Sequence, residues 1–409
     1  MGQDRISTRC AVAGGGPAGM MLGLLLARAG VDVVVLEKHA DFLRDFRGDT
    51  IHPSTLEVMH ELGLLDALLR LPHDKVPTIA AQIGPTLVQV ADFSHLPTHC
   101  QFVALMPQWD FLGFLAEQAA RYPSFHRRME AGVTDLIEEG GRIAGVRCIT
   151  PEGPLEVRAD LVVGADGRHS TVRARAGLEV RDLGAPIDVL WMRVSRQPDD
   201  PAQTLGRVDL GHMLVMLNRT TYWQCAYLIP KGGDDALRAA GLPAFRETLA
   251  GLAPHLRDRV AELGSWDDVK LLTVTVDRLR RWHRPGLLCI GDAAHAMSPI
   301  GGVGINLAIQ DAVAAANLLA PTLLRGAPSD AQLEAVQRRR ELPTDLTQRA
   351  QVLIQDRVIR RVLASKGSPA VPWLVGLMQD FPMLRRIPGR LVGMGFRPEH
   401  VHVEEARAS

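Results

Sequence analysis

Three glycine-rich segments carry the residue types best suited to holding a nucleotide. They read GGGPAG at residues 14–19, GADG at 164–167 and GDAAH at 291–295. Each follows a short apolar run, which predicts a glycine turn at the end of a buried strand. Glycine lets the backbone approach a phosphate closely, and an aspartate beside a glycine suits a hydroxyl group. Together the three segments predict one nucleotide cofactor held at three points.

The first segment lies in a strand–turn–helix–strand pattern. Residues 10–13 read as a strand, residues 19–29 have helical apolar spacing, and residues 31–36 read as a second strand. Glu37 ends that second strand, about twenty positions after the glycines, where an acidic residue suits the hydroxyls of a ribose. Lys38 follows it and is expected to brace the adenosine end. The pattern alone fits either FAD or NAD.

Each glycine of the first segment has a separate predicted task. Gly14 allows the tight turn, Gly16 lets the backbone approach a pyrophosphate, and Gly19 lets the helix pack on the strand. Pro17 and Ala18 stand at the start of the helix. Free N–H groups and the positive end of the helix dipole are expected there, next to the phosphates.

The second and third segments extend the prediction. Asp166 and Gly167 follow a strand at 160–163, and Asp292 follows a strand at 287–290. A glycine-rich stretch after Asp292 precedes another apolar helix, whose start can stabilise negative charge at the polar edge of a flavin. Three segments in this order predict FAD. The residues expected to bind it in the last stretch are Pro299, Gly302, Gly304, Ile305 and Asn306.

The three motifs resemble those of the class A flavoprotein monooxygenases, the family of para-hydroxybenzoate hydroxylase. The resemblance covers about residues 8–335 and includes Arg47 and Gln108, two positions that contact the flavin and its ribityl chain in that family. It implies a cycle in which NAD(P)H reduces FAD, O₂ adds to form a flavin hydroperoxide, and one oxygen atom passes to a small aromatic or polycyclic substrate. The chain has one dinucleotide motif, so NAD(P)H is expected to dock transiently.

The fold class expected is α/β. A doubly wound FAD-binding domain of the glutathione-reductase-like Rossmann type is interrupted by a mainly antiparallel substrate sheet, and helices follow at the C-terminus. The ranges expected are 1–75, 100–185 and 275–335 for the FAD-binding domain, 76–99 and 186–274 for the substrate domain, and 336–409 for the C-terminal helical region and tail.

Candidate catalytic residues are few. On the predicted strand 222–229, period-two alternation places Tyr222 and Gln224 on one face and Tyr227 on the other. A tyrosine on the substrate face can relay a proton from a phenol, but the alternation does not say which face that is. His52 is either a base beside the flavin or the start of a helix.

Composition bounds the function classes. The formal net charge of zero favours neither nucleic acid nor an acidic membrane as a partner. The five cysteines show no spacing typical of a metal site, and their odd number argues against a disulfide framework. Arg28 and Asp32 interrupt the apolar run 20–36, so it predicts helix and strand rather than a membrane span, and no secretory signal precedes it. A cytoplasmic monomer or homodimer is expected.

Two other functions fit the same fold. A FAD-dependent reductase or dehydrogenase would need the same motifs, and so would a flavin protein that sequesters a reactive intermediate. Halogenation is disfavoured, because the stretch CAYLIP at 225–230 lacks both tryptophans of the halogenase motif Trp-x-Trp-x-Ile-Pro. Oxidation of NAD(P)H that depends on a ligand would distinguish the monooxygenase from the sequestering protein.

Overall fold

A mostly parallel sheet carries all three glycine segments. The computed structural model describes residues 4–43, 50–201, 205–209, 211–365 and 373–406. Parallel pairs join Asp4–Ala13 to its neighbours on both sides and continue to the next strand on each side. Three further strands pair antiparallel. The strand order is His283–Arg284, Leu287–Cys289, Gly153–Gly164, Asp4–Ala13, Val33–Leu36 and Phe125–Arg128, with Arg142–Thr150 and Gly132–Glu139 attached to Gly153–Gly164.

Two apolar helices cover this sheet. Pro17–Arg28 is buried along most of its length, because nearly every side chain in it is apolar. It packs against Gly304–Leu323, whose alanines and leucines are also buried. Gln108–Ala119 packs on the other side of Pro17–Arg28. The result is the α/β layering of an FAD-binding fold, with the ends of three strands opening onto one edge.

A second, seven-stranded sheet draws its strands from both predicted insertions. Its strands are antiparallel except where Leu205–Asp209 pairs in parallel with Thr78–Ile83. The order is Lys270–Leu272, Ile187–Ser195, Tyr222–Pro230, His212–Asn218, Leu205–Asp209, Thr78–Ile83 and Thr86–Asp92.

Smaller elements complete the described part of the chain. Two three-stranded sheets consist of Thr50–Ile51, Val103–Leu105 and Asp74–Val76, and of Val180–Asp182, Asp277–Leu279 and His295–Ala296. The remaining α-helices are Pro53–Glu61, Leu65–Leu68, Thr171–Arg175, Asp234–Ala240, Leu242–Leu252, Asp330–Ile354, Arg360–Ala364, Trp373–Asp380 and Arg386–Gly393. A π-helical turn, Gln355–Ile359, joins two of them.

The strand Lys270–Leu272 at the edge of the second sheet is short. It ends at Leu272, because the Asp188 carboxylate accepts a hydrogen bond from the Val274 N–H (2.9 Å) and takes the chain out of the ladder. The next strand, Asp277–Leu279, belongs to a different sheet.

The expected domain boundary at residue 336 falls inside a helix. Asp330–Ile354 begins six residues earlier, where Ser329 and Gln332 form a reciprocal capping box. The C-terminal tail also returns to the FAD-binding domain, since Val401 and Val403 pack on its core and the Ala406 N–H bonds to the Arg28 carbonyl (2.8 Å).

Within the described residues, one helix is long and apolar enough to cross a membrane. It is Ile300–Leu323, and 83% of its most apolar window is buried inside the protein. Its packing against Pro17–Arg28 is that of a core helix.

A buried ion pair holds the second sheet to its covering segments. Asp200 and Arg259 have side chains 3% and 8% exposed, and their two hydrogen bonds are both 2.6 Å. Asp200 also accepts a hydrogen bond from Trp223 Nε1 (2.8 Å). The hydrogen bonds from Arg259 hold the pKa of Asp200 far below its usual value, against the opposing effect of burial.

Replacing this carboxylate should therefore destabilise the fold in a pH-dependent way. We expect Asp200→Asn to lower the free energy of unfolding by about 3 kcal/mol at neutral pH, because Arg259 loses its buried partner. The folded pKa lies below the unfolded value of about 3.9, so the contribution is present above that pH and is lost on acidification. Urea titrations should show the difference shrinking below about pH 4. Glu247→Gln, which removes an exposed partner of Arg257, should change stability little.

Candidate functional site

The three glycine segments meet at one edge of the parallel sheet. A Cβ placed on Gly14 would lie 2.9 Å from the Asp166 Cα, so the first and second segments are in contact. A Cβ on Gly291 would lie 3.1 Å from the Ala18 Cβ, which brings the third segment against the first helix. Segments separated by more than a hundred residues thus form one surface.

The first turn has the shape of a phosphate cradle. Gly14 has a φ of +108°, and a side chain there would collide with the Ala165 carbonyl oxygen. A side chain on Gly19 would collide with the Gly14 carbonyl oxygen, so helix and strand approach closely. Gly16 differs, because a Cβ at this residue would have no described atom within 4 Å. The open side of Gly16 is where a pyrophosphate can approach the backbone.

Two helix starts point at this surface without side-chain caps. Pro17–Arg28 and Gly304–Leu323 have no capping side chain and no acidic residue in their first turns, as far as the described residues show. Gly301 and Gly302 precede the second helix with φ angles of +77° and +62°. Free N–H groups and two positive dipole ends are thereby available to an anionic cofactor.

The two aspartates of the glycine segments complete the edge. Asp166 Oδ2 accepts a hydrogen bond from the Val172 N–H (3.1 Å), whereas buried Oδ1 has no partner among the residues described. Burial raises the pKa of Asp166. Asp292 lies 3.7 Å from the Arg168 guanidinium and is partly exposed. An orphaned carboxylate oxygen, an open glycine and uncapped helix starts fit the hydroxyls and phosphates of FAD.

The predicted adenosine-end residues have different surroundings. Glu37 is buried, and its carboxylate accepts hydrogen bonds from the Gly15 N–H (2.9 Å) and the His39 N–H (3.1 Å), which ties the second strand to the glycine turn. Lys38 is exposed beside it. Gln108 is half-buried at the start of its helix. Arg47 lies outside the described residues.

Asn306 and His52 have structural tasks. Asn306 Oδ1 accepts hydrogen bonds from the His52 N–H (3.0 Å) and the Thr55 hydroxyl (2.6 Å). The His52 ring is buried with Nδ1 2.7 Å from the Val392 carbonyl oxygen, and burial lowers its pKa to about 4. This corrects the interpretation of His52 as a possible base: it begins the Pro53–Glu61 helix and anchors the C-terminal helix.

The other predicted cofactor residues lie in turns, in the loop before a helix and at its start. Pro299 is half-buried at the loop before the helix, and Gly302 lies against Thr50, whose hydroxyl donates to the Gly302 carbonyl (2.9 Å). Gly304 starts the helix, and the Ile305 side chain is buried in the main core. Gly167 has a φ of +84° and open space at its Cβ position.

The two faces of the strand Tyr222–Pro230 pack in different apolar clusters. Ala226 and Leu228 pack with Ile300, the residue that follows Pro299. Tyr227 lies on the opposite face, stacked edge-on against Phe245.

This geometry argues against Tyr227 as the proton relay. Burial raises its pKa to about 12, and its hydroxyl lies 2.5 Å from His212 Nδ1, so it is not placed to take a proton from substrate. Gln224 is on the same face as Ala226 and is buried, with Oε1 accepting from Arg219 Nε (3.1 Å). Tyr222 is half-buried, and the Arg193 guanidinium stacks on its ring at 4.1 Å.

A buried charge network behind the third turn was not predicted from the sequence. Asp311 Oδ2 accepts from the Gly291 N–H (3.0 Å) and lies 2.5 Å from His295 Nε2, while Oδ1 accepts from Arg340 Nε (2.9 Å). Arg340 is also 3.4 Å from Glu399 near the C-terminus. Burial raises the pKa of Asp311, but His295 and Arg340 more than offset it and hold that pKa below its usual value.

Comparison with known proteins agrees with an FAD-binding chain. The family described as FAD binding domain matches residues 7–350. The chain is 37% identical over 356 residues to 6-methylpretetramide 4-monooxygenase of Streptomyces rimosus, covering 86% of this chain and 84% of that protein. It is 27% identical to dialkyldecalin synthase of Streptomyces rugosporus, covering 78% of this chain and 66% of that protein.

A solved structure shows the same fold. The crystal structure of p-nitrophenol 4-monooxygenase from Pseudomonas putida DLL-E4 superposes with a TM-score of 0.73. The sequences are 22% identical, and the match covers 95% of each chain.

The open side of Gly16 gives a direct test of the cradle. We expect Gly16→Ala to fold with a stability change of about 1 kcal/mol or less, because its Cβ meets no described protein atom. FAD affinity should fall about tenfold, since the methyl group occupies the space the pyrophosphate needs. Flavin fluorescence during titration of the apoprotein measures this. Gly113→Ala, also with open space, should leave FAD affinity unchanged; equal affinity in both variants would contradict the cradle.

Removing the buried charge at Asp311 should affect both stability and cofactor. We expect Asp311→Asn to lower the free energy of unfolding by about 3 kcal/mol, because Arg340 and His295 lose their shared buried partner. FAD should also dissociate more easily, since the Gly291 turn loses its fixed acceptor. Urea unfolding of the apoprotein and FAD titration report the two effects separately. Glu179→Gln, which removes an exposed partner of Arg280, is the control and should cost about 1 kcal/mol or less.

Proposed function

The chain belongs to the class A FAD-dependent monooxygenase family, and from this premise we propose that it hydroxylates an uncharged polycyclic aromatic substrate with NAD(P)H as electron donor. The observation that best supports the proposal is the meeting of three glycine segments beside an apolar sheet face. FAD, when bound, takes electrons from NAD(P)H and activates O₂ for transfer of one oxygen atom to carbon. The chain's own residues must then bind and orient the substrate and exclude water from the site.

We assign the cofactor contacts by position. The open Gly16 backbone and the start of the Pro17–Arg28 helix face the pyrophosphate, and Asp292 with its neighbouring turn faces the ribityl chain. The start of Gly304–Leu323, with Gly302 before it, donates backbone N–H groups toward negative charge on the ring. Glu37 is assigned to the ribose. NAD(P)H docks transiently in this proposal.

The substrate side of the site is mostly apolar. The face of the second sheet that packs near Ile300 carries aliphatic side chains together with Trp191. Such a face suits flat, uncharged rings and excludes water from the reacting carbon. The apolar residues of this face and its cover are Ile187, Val189, Met213, Val215, Ala226, Leu228, Leu272, Val274 and Ile359.

The chain needs no side-chain nucleophile for this reaction. Tyr227 and His52 are both withdrawn from the face, so proton transfer from a phenolic substrate falls to Tyr222, to solvent or to the substrate itself. A cytoplasmic location and a monomeric or dimeric state remain part of the proposal.

Oxygen incorporation tests the function directly. Purified FAD-loaded protein should oxidise NAD(P)H faster with a polycyclic phenol than without it. Under isotopically labelled O₂, mass spectrometry should find one labelled oxygen atom in the product. The stimulation arises because substrate binding positions the ring and completes the closed site.

The same experiment separates the alternatives. A reductase would give a reduced product with no labelled oxygen, and a sequestering protein would bind the ligand without stimulated NAD(P)H oxidation. A synthase like the relative from Streptomyces rugosporus would convert a substrate without consuming O₂. Any of these results would contradict the monooxygenase.

A further inference from the structure

The Asp330–Ile354 helix carries a row of polar side chains that is buried rather than exposed. Gln337, Gln348 and Gln351 are 8%, 0% and 4% exposed. Arg340 and Thr344 lie between them in the sequence, and successive members of this row are three or four residues apart, which places all five on one helix face. Each of the three glutamines bonds to backbone groups of the segment 280–300 or the strand just before it.

The last of these three glutamines holds the loop that begins at Pro299. Gln351 Nε2 donates to the Ser298 carbonyl (3.0 Å) and to the Ile300 carbonyl (2.9 Å), and Oε1 accepts from the Ser298 N–H (3.2 Å). Both ends of this amide are therefore used by the backbone of the loop.

Gln355 continues the row one turn later, and its amide has no such task. Its side chain is 0% exposed, and neither Oε1 nor Nε2 has a hydrogen-bond partner in the part of the chain that the structure describes. It begins the π-helical turn Gln355–Ile359, a kind of turn that is frequent at functional sites. A buried amide left without partners is unfavourable, so an unused donor and acceptor at this place indicate a ligand.

The surroundings of Gln355 are those of the substrate face. Ile359, one turn further on the same side of the helix, packs with Ala226 and Leu228 of the second sheet. Ile300, whose carbonyl Gln351 holds, belongs to the same cluster. Gln355 thus lies along the helix between Gln351, which holds the loop, and Ile359, which packs in the cluster of the sheet face.

Two more buried donors without partners lie on that sheet face. Trp191 Nε1 and Gln224 Nε2 form no hydrogen bond to any described residue. Trp191 lies directly opposite Ala226 on the neighbouring strand, and Gln224 is two residues from Ala226 on the strand Tyr222–Pro230. The side chains of Trp191 and Gln224 are therefore diagonal neighbours. Three unsatisfied polar groups therefore border one otherwise aliphatic cluster.

We propose that Gln355 is a specificity-determining residue that binds a substrate edge carrying a hydrogen-bond donor beside an acceptor. Trp191 and Gln224 donate to oxygen atoms of the same molecule. The substrate class is an uncharged fused-ring phenol or enol with adjacent oxygen substituents. This inference rests on the proposed function, because it concerns the same site.

Binding requires the aliphatic contacts of the cluster to open. Ile300 packs against the aliphatic cluster, and Gly301 and Gly302 follow it in left-handed conformations. Glycine permits the backbone change that moves Ile300 aside. A ligand that enters exchanges aliphatic contacts for its own rings and satisfies the three polar groups.

The test uses two probes with the same ring system. One is the naphthalene diol with adjacent hydroxyls, and the other is its dimethyl ether, which accepts hydrogen bonds but donates none. Isothermal titration calorimetry on the oxidised, FAD-loaded protein should show the diol binding about tenfold more tightly than the ether. In Gln355→Leu this preference should disappear, because no amide remains to accept from the hydroxyl.

Stability separates ligand recognition from a structural role. Gln355→Leu should not lower the thermal midpoint of the ligand-free protein, because the amide it removes has no partner there. Gln351→Leu, the matched change one turn earlier, should lower the midpoint, because it breaks three hydrogen bonds to the loop. A preference for the diol that survives in Gln355→Leu would overturn the proposal. A lowered midpoint in that variant, or a loss of FAD affinity, would also overturn it.

Failure of this inference is distinguishable from failure of the proposed function. The titrations contain no NAD(P)H and measure binding alone. Wild-type protein that prefers the diol through Gln355 but incorporates no labelled oxygen would retain the recognition site and refute the monooxygenase. Labelled product together with an unchanged preference for the diol in Gln355→Leu would support the monooxygenase and refute the recognition site.

Discussion

The arrangement of the site depends on one buried carboxylate. Asp311 is fully buried, and it receives the Gly291 N–H on one oxygen and the Arg340 guanidinium on the other. An unpaired carboxylate would be very unfavourable there, so the third glycine turn, the core helix and the Asp330–Ile354 helix must assemble together. Arg340 extends the dependence to Glu399, near the C-terminus. The third glycine turn is therefore held from behind by the Asp330–Ile354 helix and by the segment around Glu399.

The two sides of the site are built by different means. The FAD side is formed by backbone at glycine turns and helix starts, where Gly14 and Gly19 tolerate no side chain. The proposed substrate side is formed by side chains on one sheet face, such as Ala226 and Leu228, which can change without disturbing the turns. This division explains how a family can preserve FAD binding while its members differ in reaction. Function must be argued from the sheet face rather than from the fold.

The sequence predicts those features that depend on residues close to one another in the chain. The strand–turn–helix register around Gly14 is contained in thirty residues, so the turn and its glycine tasks could be predicted. Period-two alternation separated Gln224 from Tyr227, but both faces of that strand are buried, so hydropathy could not say which one meets the flavin edge. Asp311 and Arg340 are 29 residues apart, and neither sequence neighbourhood signals the pairing. The capping box at Ser329 was a readable signal for the start of that helix.

The buried polar face of the C-terminal helix has a consequence for specificity. A helix that packs through aliphatic side chains can slide by a fraction of a turn at little cost, because dispersion contacts are not directional. Gln348 and Gln351 instead reach particular backbone carbonyls, and a shift of one residue would leave these buried groups unpaired. The helix is thereby fixed in register on the loop that begins at Pro299. Its next buried amide, Gln355, follows on the same helix and is consequently held in a defined register, with a donor and an acceptor that no described residue uses.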